Sequence, residues 1–175
     1  MNYYDMFVKE DKRYGVAYVP EGTPLFLLPR TGGWVEDWQE MVLTLRKGDF
    51  SDYLANDMAF PLCSRKLRDI MEGCKGEQDV FQWLPVTVRS KGGEEREYFV
   101  LHFPQEYDVL DKERSIYDAH GIIKPVISQG LAVGHHIFTF IGAEGVGYYV
   151  SEKVRRKVLR EKCIGVTFER TAVAD

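Results

Sequence analysis

From Phe81 to Phe103 the chain carries two stretches rich in β-branched and aromatic residues, Phe81 to Arg89 and Glu95 to Phe103, separated only by Ser90-Lys91-Gly92-Gly93-Glu94. Paired glycines in a short charged segment allow the tight reversal that an antiparallel hairpin needs, and both flanks are long enough to pair along their length. The feature commits this region to sequentially adjacent antiparallel strands. It argues against a doubly wound parallel sheet, where each strand is followed by a crossover helix.

Other stretches have strand composition. Asn2 to Val8 and Tyr14 to Val19, with Lys9 to Arg13 as a charged turn, predict a second hairpin. Tyr107 to Leu110, Ile122 to Ile127, His136 to Ile141, Tyr148 to Val150 and Ile164 to Arg170 are further expected strands, and Gly142 to Gly147 is a glycine-rich turn. Pro20 to Pro24 interrupts regular structure, and Leu25 to Leu28 is a short apolar run closed by Pro29 and Gly32-Gly33.

Two helices stand out against this background. Leu67, Ile70, Met71 and Cys74 recur at i, i+3, i+4 and i+7 behind Ser64, whose hydroxyl suits an N-cap, and Gly73 and Gly76 mark the exit. Ser151 is the expected cap of a second helix running to about Lys162, with Val154, Val158 and Leu159 inward and Glu152 at the positive end of the dipole. Each helix feeds a strand, a hint of two related αβ units. The expected fold class is therefore α+β: mostly antiparallel sheet with two Ser-capped amphipathic helices.

At 175 residues, with 45% hydrophobic and 29% charged side chains, the chain is sized and composed as one globular domain, 1–175, whose first 60 residues are the least regular. A net charge of −4 gives no general attraction to nucleic acid or to anionic lipid, so neither is an expected partner. No apolar run approaches the roughly 20 residues that cross a membrane. The start, Met1-Asn2-Tyr3-Tyr4-Asp5-Met6, has none of the marks of a secretory signal, and a cytoplasmic location is expected. Cys63, Cys74 and Cys163 have no metal-ligand spacing and read as small buried hydrophobes at helix edges.

Chemistry is hard to assemble from these residues. Gly142-Ala143-Glu144-Gly145-Val146-Gly147 lacks the lysine and the following helix of a phosphate loop. His135 and His136 are adjacent on an expected strand and so point to opposite faces, unable to share one metal. No catalytic residue, metal site or cofactor is assigned. Two alternatives stay open: an enzyme using His136 or His102 with nearby carboxylates, and a structural subunit that assembles with its own copies.

Binding surfaces are better marked. Between Thr31 and Phe60 the acids Glu36, Asp37, Glu40, Asp49, Asp52 and Asp57 outnumber Arg46 and Lys47, with Trp34, Trp38, Phe50 and Tyr53 among them. Trp34, Glu36, Asp37, Trp38 and Glu40 are the candidate contact for a basic partner, because desolvated tryptophan is a frequent interface anchor. The competing reading places both tryptophans in the core and leaves the acids solvated. The second helix carries Lys153, Arg155, Arg156, Lys157, Arg160 and Lys162 against Glu152 and Glu161, which reads as a solvated outer face unless nucleic acid meets it.

The order of several motifs resembles one known family. Pro61-Leu62-Cys63-Ser64-Arg65-Lys66-Leu67-Arg68-Asp69-Ile70-Met71 is followed by Phe81-Gln82-Trp83-Leu84-Pro85-Val86-Thr87-Val88, Tyr98 to Phe103 and Asp108 to Asp111. Gly134 to Phe138, Tyr149 to Val154 and Gly165 to Phe168 then complete the series. In this order, Phe60 to Phe168 is similar to immunity family eleven of the bacterial polymorphic-toxin systems. The resemblance implies a small cytoplasmic antidote that binds a cognate toxin domain, without a cofactor and without catalysis. It assigns no contact residues; a nuclease toxin, whose substrate-binding face is basic, would suit the acidic segment.

Overall fold

The computed structural model describes residues 1–24, 27–29, 32–142 and 147–175. Six strands close into a barrel in the order β2 (Val16–Tyr18), β3 (Val42–Arg46), β6 (Gln82–Ser90), β7 (Glu95–His102), β5 (Leu62–Ser64) and β4 (Tyr53–Asn56). A second, four-stranded sheet runs β11 (Ile137–Phe138), β12 (Tyr149–Ser151), β1 (Tyr3–Val8), β13 (Val166–Arg170), all antiparallel. Two small pairs complete it: β8 (Ile116–Asp118) with β9 (Gly121–Lys124), and β10 (Val126–Ser128) with β14 (Ala172–Ala174). Helices α1 (Arg65–Glu72) and α2 (Glu152–Arg160) are eight and nine residues long. None is long and apolar enough to cross a membrane among the described residues.

The fold is mainly β, and the α+β expectation is overturned by the closed barrel and by the shortness of both helices. Local patterns exposed the helices but not the closure. The barrel shuts through the parallel pairs β2–β4 and β3–β6, whose partners are far apart in sequence, and parallel partners leave no turn signature. β3 itself alternates, with Leu43 and Leu45 buried and Val42, Thr44 and Arg46 exposed. The chain leaves it through Lys47 and Gly48, both at positive φ. A Cβ on Gly48 would stand 2.5 Å from the Tyr14 backbone, so only glycine lets the two turns meet.

Hairpin β6–β7 pairs continuously from Gln82↔His102 to Arg89↔Glu95, as the glycine-centred turn predicts. The expected hairpin at the N-terminus does not form. β1 pairs with β12 and β13, while β2 pairs with β3 and β4, so Lys9 to Arg13 is a bridge from the open sheet to the barrel. The Lys9 amide still donates to Gly165 O at 2.9 Å, prolonging the pairing to β13 before the chain departs. The expected strand Ile122 to Ile127 is broken at Pro125 into β9 and β10. Of the glycine-rich turn, residues 143–146 lie outside the described residues, as do Leu25 and Phe26 of the short apolar run.

The helix starts are not alike. Ser64 accepts from the Leu67 amide at 3.2 Å, the expected cap. Ser151 occupies the N-cap position of α2, but its hydroxyl makes no cap bond and pairs with His136 Nδ1 at 2.8 Å. The strands ahead of them also differ, β5 being a barrel stave and β12 a member of the open sheet. This corrects the idea of two related αβ units with two Ser-capped helices.

Three apolar clusters hold the parts together. Ala17, Leu43, Leu45, Leu54, Leu62, Leu84, Val86, Val88 and Val100 fill the barrel. Leu67, Ile70 and Met71 of α1 and Val154 and Val158 of α2 pack with Met6 and Val150 of the open sheet and with Cys63 and Leu101 of the barrel. On the other face of the open sheet, Tyr3 and Tyr149 join Phe138, Ile127 and Val109. Truncating the fully buried Leu67 to alanine removes contacts between barrel, sheet and helices at once, a change that costs about 2–5 kcal/mol.

Candidate interaction site

Strand β3 covers β6 only from Thr87 to Ser90. The remaining flank, Gln82 to Val86, is covered by residues 32–41, which lie along it as an extended strap without helical turns. Pro85 falls within this stretch. Its carbonyl and its missing N–H both face the strap, where no strand requires the donor. The carbonyl accepts from Trp38 Nε1 at 2.8 Å.

The strap is pinned at almost every second residue. Gly33 N donates to Pro104 O at 2.7 Å, and Gly33 O lies 2.7 Å from His102 Nε2. The Gln82 side chain grips Val35 from both sides, donating to its carbonyl at 2.8 Å and accepting from its amide at 3.1 Å. Thr87 donates its hydroxyl to Glu40 Oε1 at 3.1 Å and its amide to Met41 O at 3.0 Å. Trp38 and Val35 are half-buried against the barrel core, whereas Trp34 is 60% exposed. Glu36 and Asp37 are exposed and form no ion pair or hydrogen bond among the described residues. The two tryptophans thus separate: Trp38 anchors the strap, and Trp34 is displayed beside two unneutralised carboxylates.

Two other acids of the segment, Asp52 and Asp57, serve the fold, whereas Asp49 is exposed. Asp52 accepts from the Ser64 hydroxyl at 2.7 Å and from the Ile164 amide at 2.8 Å, tying the start of α1 to the segment after α2. Asp57 Oδ1 accepts from the Val19 amide at 3.1 Å.

Three of the four histidines are built into the frame, and His120 is exposed. Asp79 is 3% exposed and collects the amides of Gly76, His136 and Ile137 at 2.7–3.1 Å, while its Oδ1 lies 3.2 Å from His135 Nδ1. It staples the loop after α1 to the approach to β11. His136 meets Ser151, but that serine is fully buried at the start of α2, where no substrate can reach its hydroxyl. Burial lowers the His136 pKa first, and the Lys153 charge adds to this, so the ring is held neutral. His102 is likewise pushed down by burial; since a carbonyl can only accept, its Nε2 carries the proton given to Gly33. The His102 ring holds the Gly33 backbone, and the His136 ring holds the Ser151 hydroxyl.

A family model for the Immunity protein family (Imm11) matches residues 17–173. The chain belongs to this immunity protein family. A search of curated proteins finds no match. The matched stretch takes in the barrel, both helices and the strap, and so extends beyond the Phe60 to Phe168 resemblance seen in the sequence. The motifs behind that resemblance fall on β5–α1, β6, β7, β12–α2 and β13 in this immunity protein, which are elements of the frame. Its cysteines are not activated. Burial raises the Cys63 and Cys74 thiols and pushes Cys163 up to about 11.

Sequence reasoning singled out Trp34, Glu36, Asp37, Trp38 and Glu40 as a candidate contact but did not see what holds them. Gln82 and Thr87 are ordinary polar residues of a strand, and only the parallel approach of β3 gives them a strap to grip. Pro85, inside an otherwise regular strand, was the readable signal that one flank of β6 is not sheet.

Proposed function

We propose that this immunity protein binds and neutralises a cognate toxin domain through the strap, with Trp34 as anchor and Glu36, Asp37 and Glu40 facing a basic toxin surface. The carrying observation is the combination of an exposed indole and the unpaired carboxylates of Glu36 and Asp37 on a backbone fixed by hydrogen bonds at Gly33, Val35, Trp38, Glu40 and Met41. An exposed tryptophan has the most to gain from a partner's pocket, and a fixed backbone leaves little ordering entropy to lose on binding. Acids without internal partners speed capture of a basic face and set its register. Membership of the immunity family favours action by binding over catalysis, and His102, His135 and His136 each spend a ring nitrogen on a contact within the fold.

A basic, substrate-gripping toxin face of the kind a nuclease carries is the surface the strap complements. The test is co-expression with the neighbouring toxin gene, followed by purification of the complex and a growth assay. A one-to-one complex that restores growth supports the reading. Trp34→Ala should then lower affinity at least tenfold, since truncating such an anchor costs about 2–4 kcal/mol. Full affinity in that variant removes the strap as the contact.

A further inference from the structure

A cleft of about 420 Å³ opens between the barrel and the open sheet. Its walls are apolar, formed by Met6, Phe7, Met58, Phe60, Leu101 and Phe103 from several separate segments. Its polar side is different in kind. Asp5 lines the cleft, and its Oδ1 is sealed from water and receives no hydrogen bond of good geometry. Across β13 it stands in register with Glu169, and across β12 with Tyr149. The carboxyl is pushed up to about 6, first by burial; the Met6 amide opposes this, the Glu169 charge adds a smaller push, and the Tyr149 hydroxyl a smaller pull. No lysine or arginine lines the cleft among the described residues, and the one histidine there, His102, gives its Nε2 proton to Gly33.

A volume of this size suits a small organic ligand or one long side chain, since ligand pockets run from about 300 to 1,000 Å³. Burying an ionised carboxylate that has one oxygen unpaired and no cation beside it is unfavourable, and a cation delivered on an apolar stem would remove that penalty while covering the aromatic walls. We infer that the cleft is a binding site for a cationic group carried on an apolar body, an ammonium or guanidinium, with Asp5 as its counter-ion. Two sources share this chemistry: a free organic amine, and a lysine or arginine side chain of the bound toxin. The cleft meets the strap only at its first residue, Gly32, away from Trp34, Glu36 and Asp37, and the inference does not depend on the toxin reading.

The test uses the full chain and a matched pair of probes, 2-phenylethylamine and the neutral 2-phenylethanol. Calorimetry gives the affinities, and amide chemical-shift changes locate the site. The amine should bind at least tenfold tighter than the alcohol, with shifts at Phe7, Met58, Phe103 and Tyr148, and Asp5→Asn should reduce it to the level of the alcohol. Equal binding of the two probes, shifts elsewhere, or an Asp5→Asn variant that keeps the preference would overturn the inference. Should Asp5→Asn not fold, the comparison of the two probes on the unaltered chain decides alone. Repeating the titration on the toxin complex separates the sources: loss of amine binding assigns the cleft to a toxin side chain, and retained binding assigns it to a free amine. A toxin that does not bind at all counts against the proposed function and leaves the amine result standing.

Discussion

The basic face of α2 and the acidic strap carry comparable charge, yet they differ in how much of it is already neutralised. On α2, Glu152 takes Arg156 at 2.7 Å and Arg155 at 3.4 Å, and Glu161 takes Lys157 at 3.1 Å and Arg160 at 3.7 Å. Arg155 also lies over the Tyr4 ring. Glu152 is held below the usual carboxylate range, first by the Tyr4 hydroxyl and then by Arg156. Four of the six cations thus have acids within their own helix or at its end. On the strap, Glu36 and Asp37 have no such partner among the described residues, and the exposed apolar group beside them is Trp34. A charged surface recruits a partner by the field it has left after internal pairing. By charge alone α2 remains the stronger face; the strap is the proposed contact because its acids have no cation beside them and stand next to an exposed indole.

The largest effect should come from reversing the strap. Glu36→Lys combined with Asp37→Lys leaves every backbone contact of the strap in place, because neither side chain holds it. Toxin affinity should fall about 100-fold, and the slower association should account for much of the loss at low salt. Titration at two ionic strengths checks this. The same reversal on α2, Arg156→Glu with Arg160→Glu, should change affinity by less than about threefold. If α2 reversal is the more damaging, the ranking of the two faces is wrong.

Legibility follows the same line between local and distant cause. The β6–β7 hairpin and the Ser64 cap were readable because turn, cap and periodicity lie within a few residues of one another. β3 was also readable in principle, its Leu43 and Leu45 alternating with polar neighbours, but the surrounding acids and aromatics drew attention to a binding segment instead. Barrel closure through β2–β4 and β3–β6 was not readable, since parallel partners share no turn. Nor could composition divide Trp34 from Trp38; the difference is the Pro85 carbonyl, 47 residues downstream of Trp38. Asp5 looks like any strand acid until the fold places apolar side chains of the barrel around it.

Asp5 is a third case beside the two faces, a carboxylate neither neutralised nor fully solvated. Its folded-state pKa of about 6 lies above the unfolded value of 3.8, so the folded protein holds this proton more tightly. Stability from this group is present below about pH 4, declines as pH rises toward 6, and is absent above it. Allowing for partial water access, Asp5→Asn should stabilise the protein by about 1–2 kcal/mol at pH 8 and by close to nothing at pH 4. Denaturant unfolding at both values measures it. A gain that is equal at the two values would show that the carboxyl is ordinarily solvated.

Gln82→Leu tests whether the strap acts as a preformed surface. The substitution keeps the volume but removes both bonds to Val35, each contributing about 0.5–1.5 kcal/mol, and it touches no exposed residue. Toxin affinity should drop about fivefold, with amide exchange at Val35 and Glu36 accelerated in the free protein. Unchanged exchange together with unchanged affinity would mean that the contacts at Gly33, Trp38 and Glu40 suffice to fix the strap.

The smallest effect is expected where the charge is densest. Arg156→Ala breaks the shorter of the two bonds to Glu152, but Arg156 is an exposed side chain and Arg155 and Tyr4 remain on the acid. An exposed pair at i, i+4 contributes about 0.3–0.5 kcal/mol, so the melting transition should shift by no more than about 3 °C. Toxin affinity should stay within twofold. A larger loss of affinity without loss of stability would place Arg156 in the contact, and the toxin would then span both faces, meeting acid on the strap and base on α2.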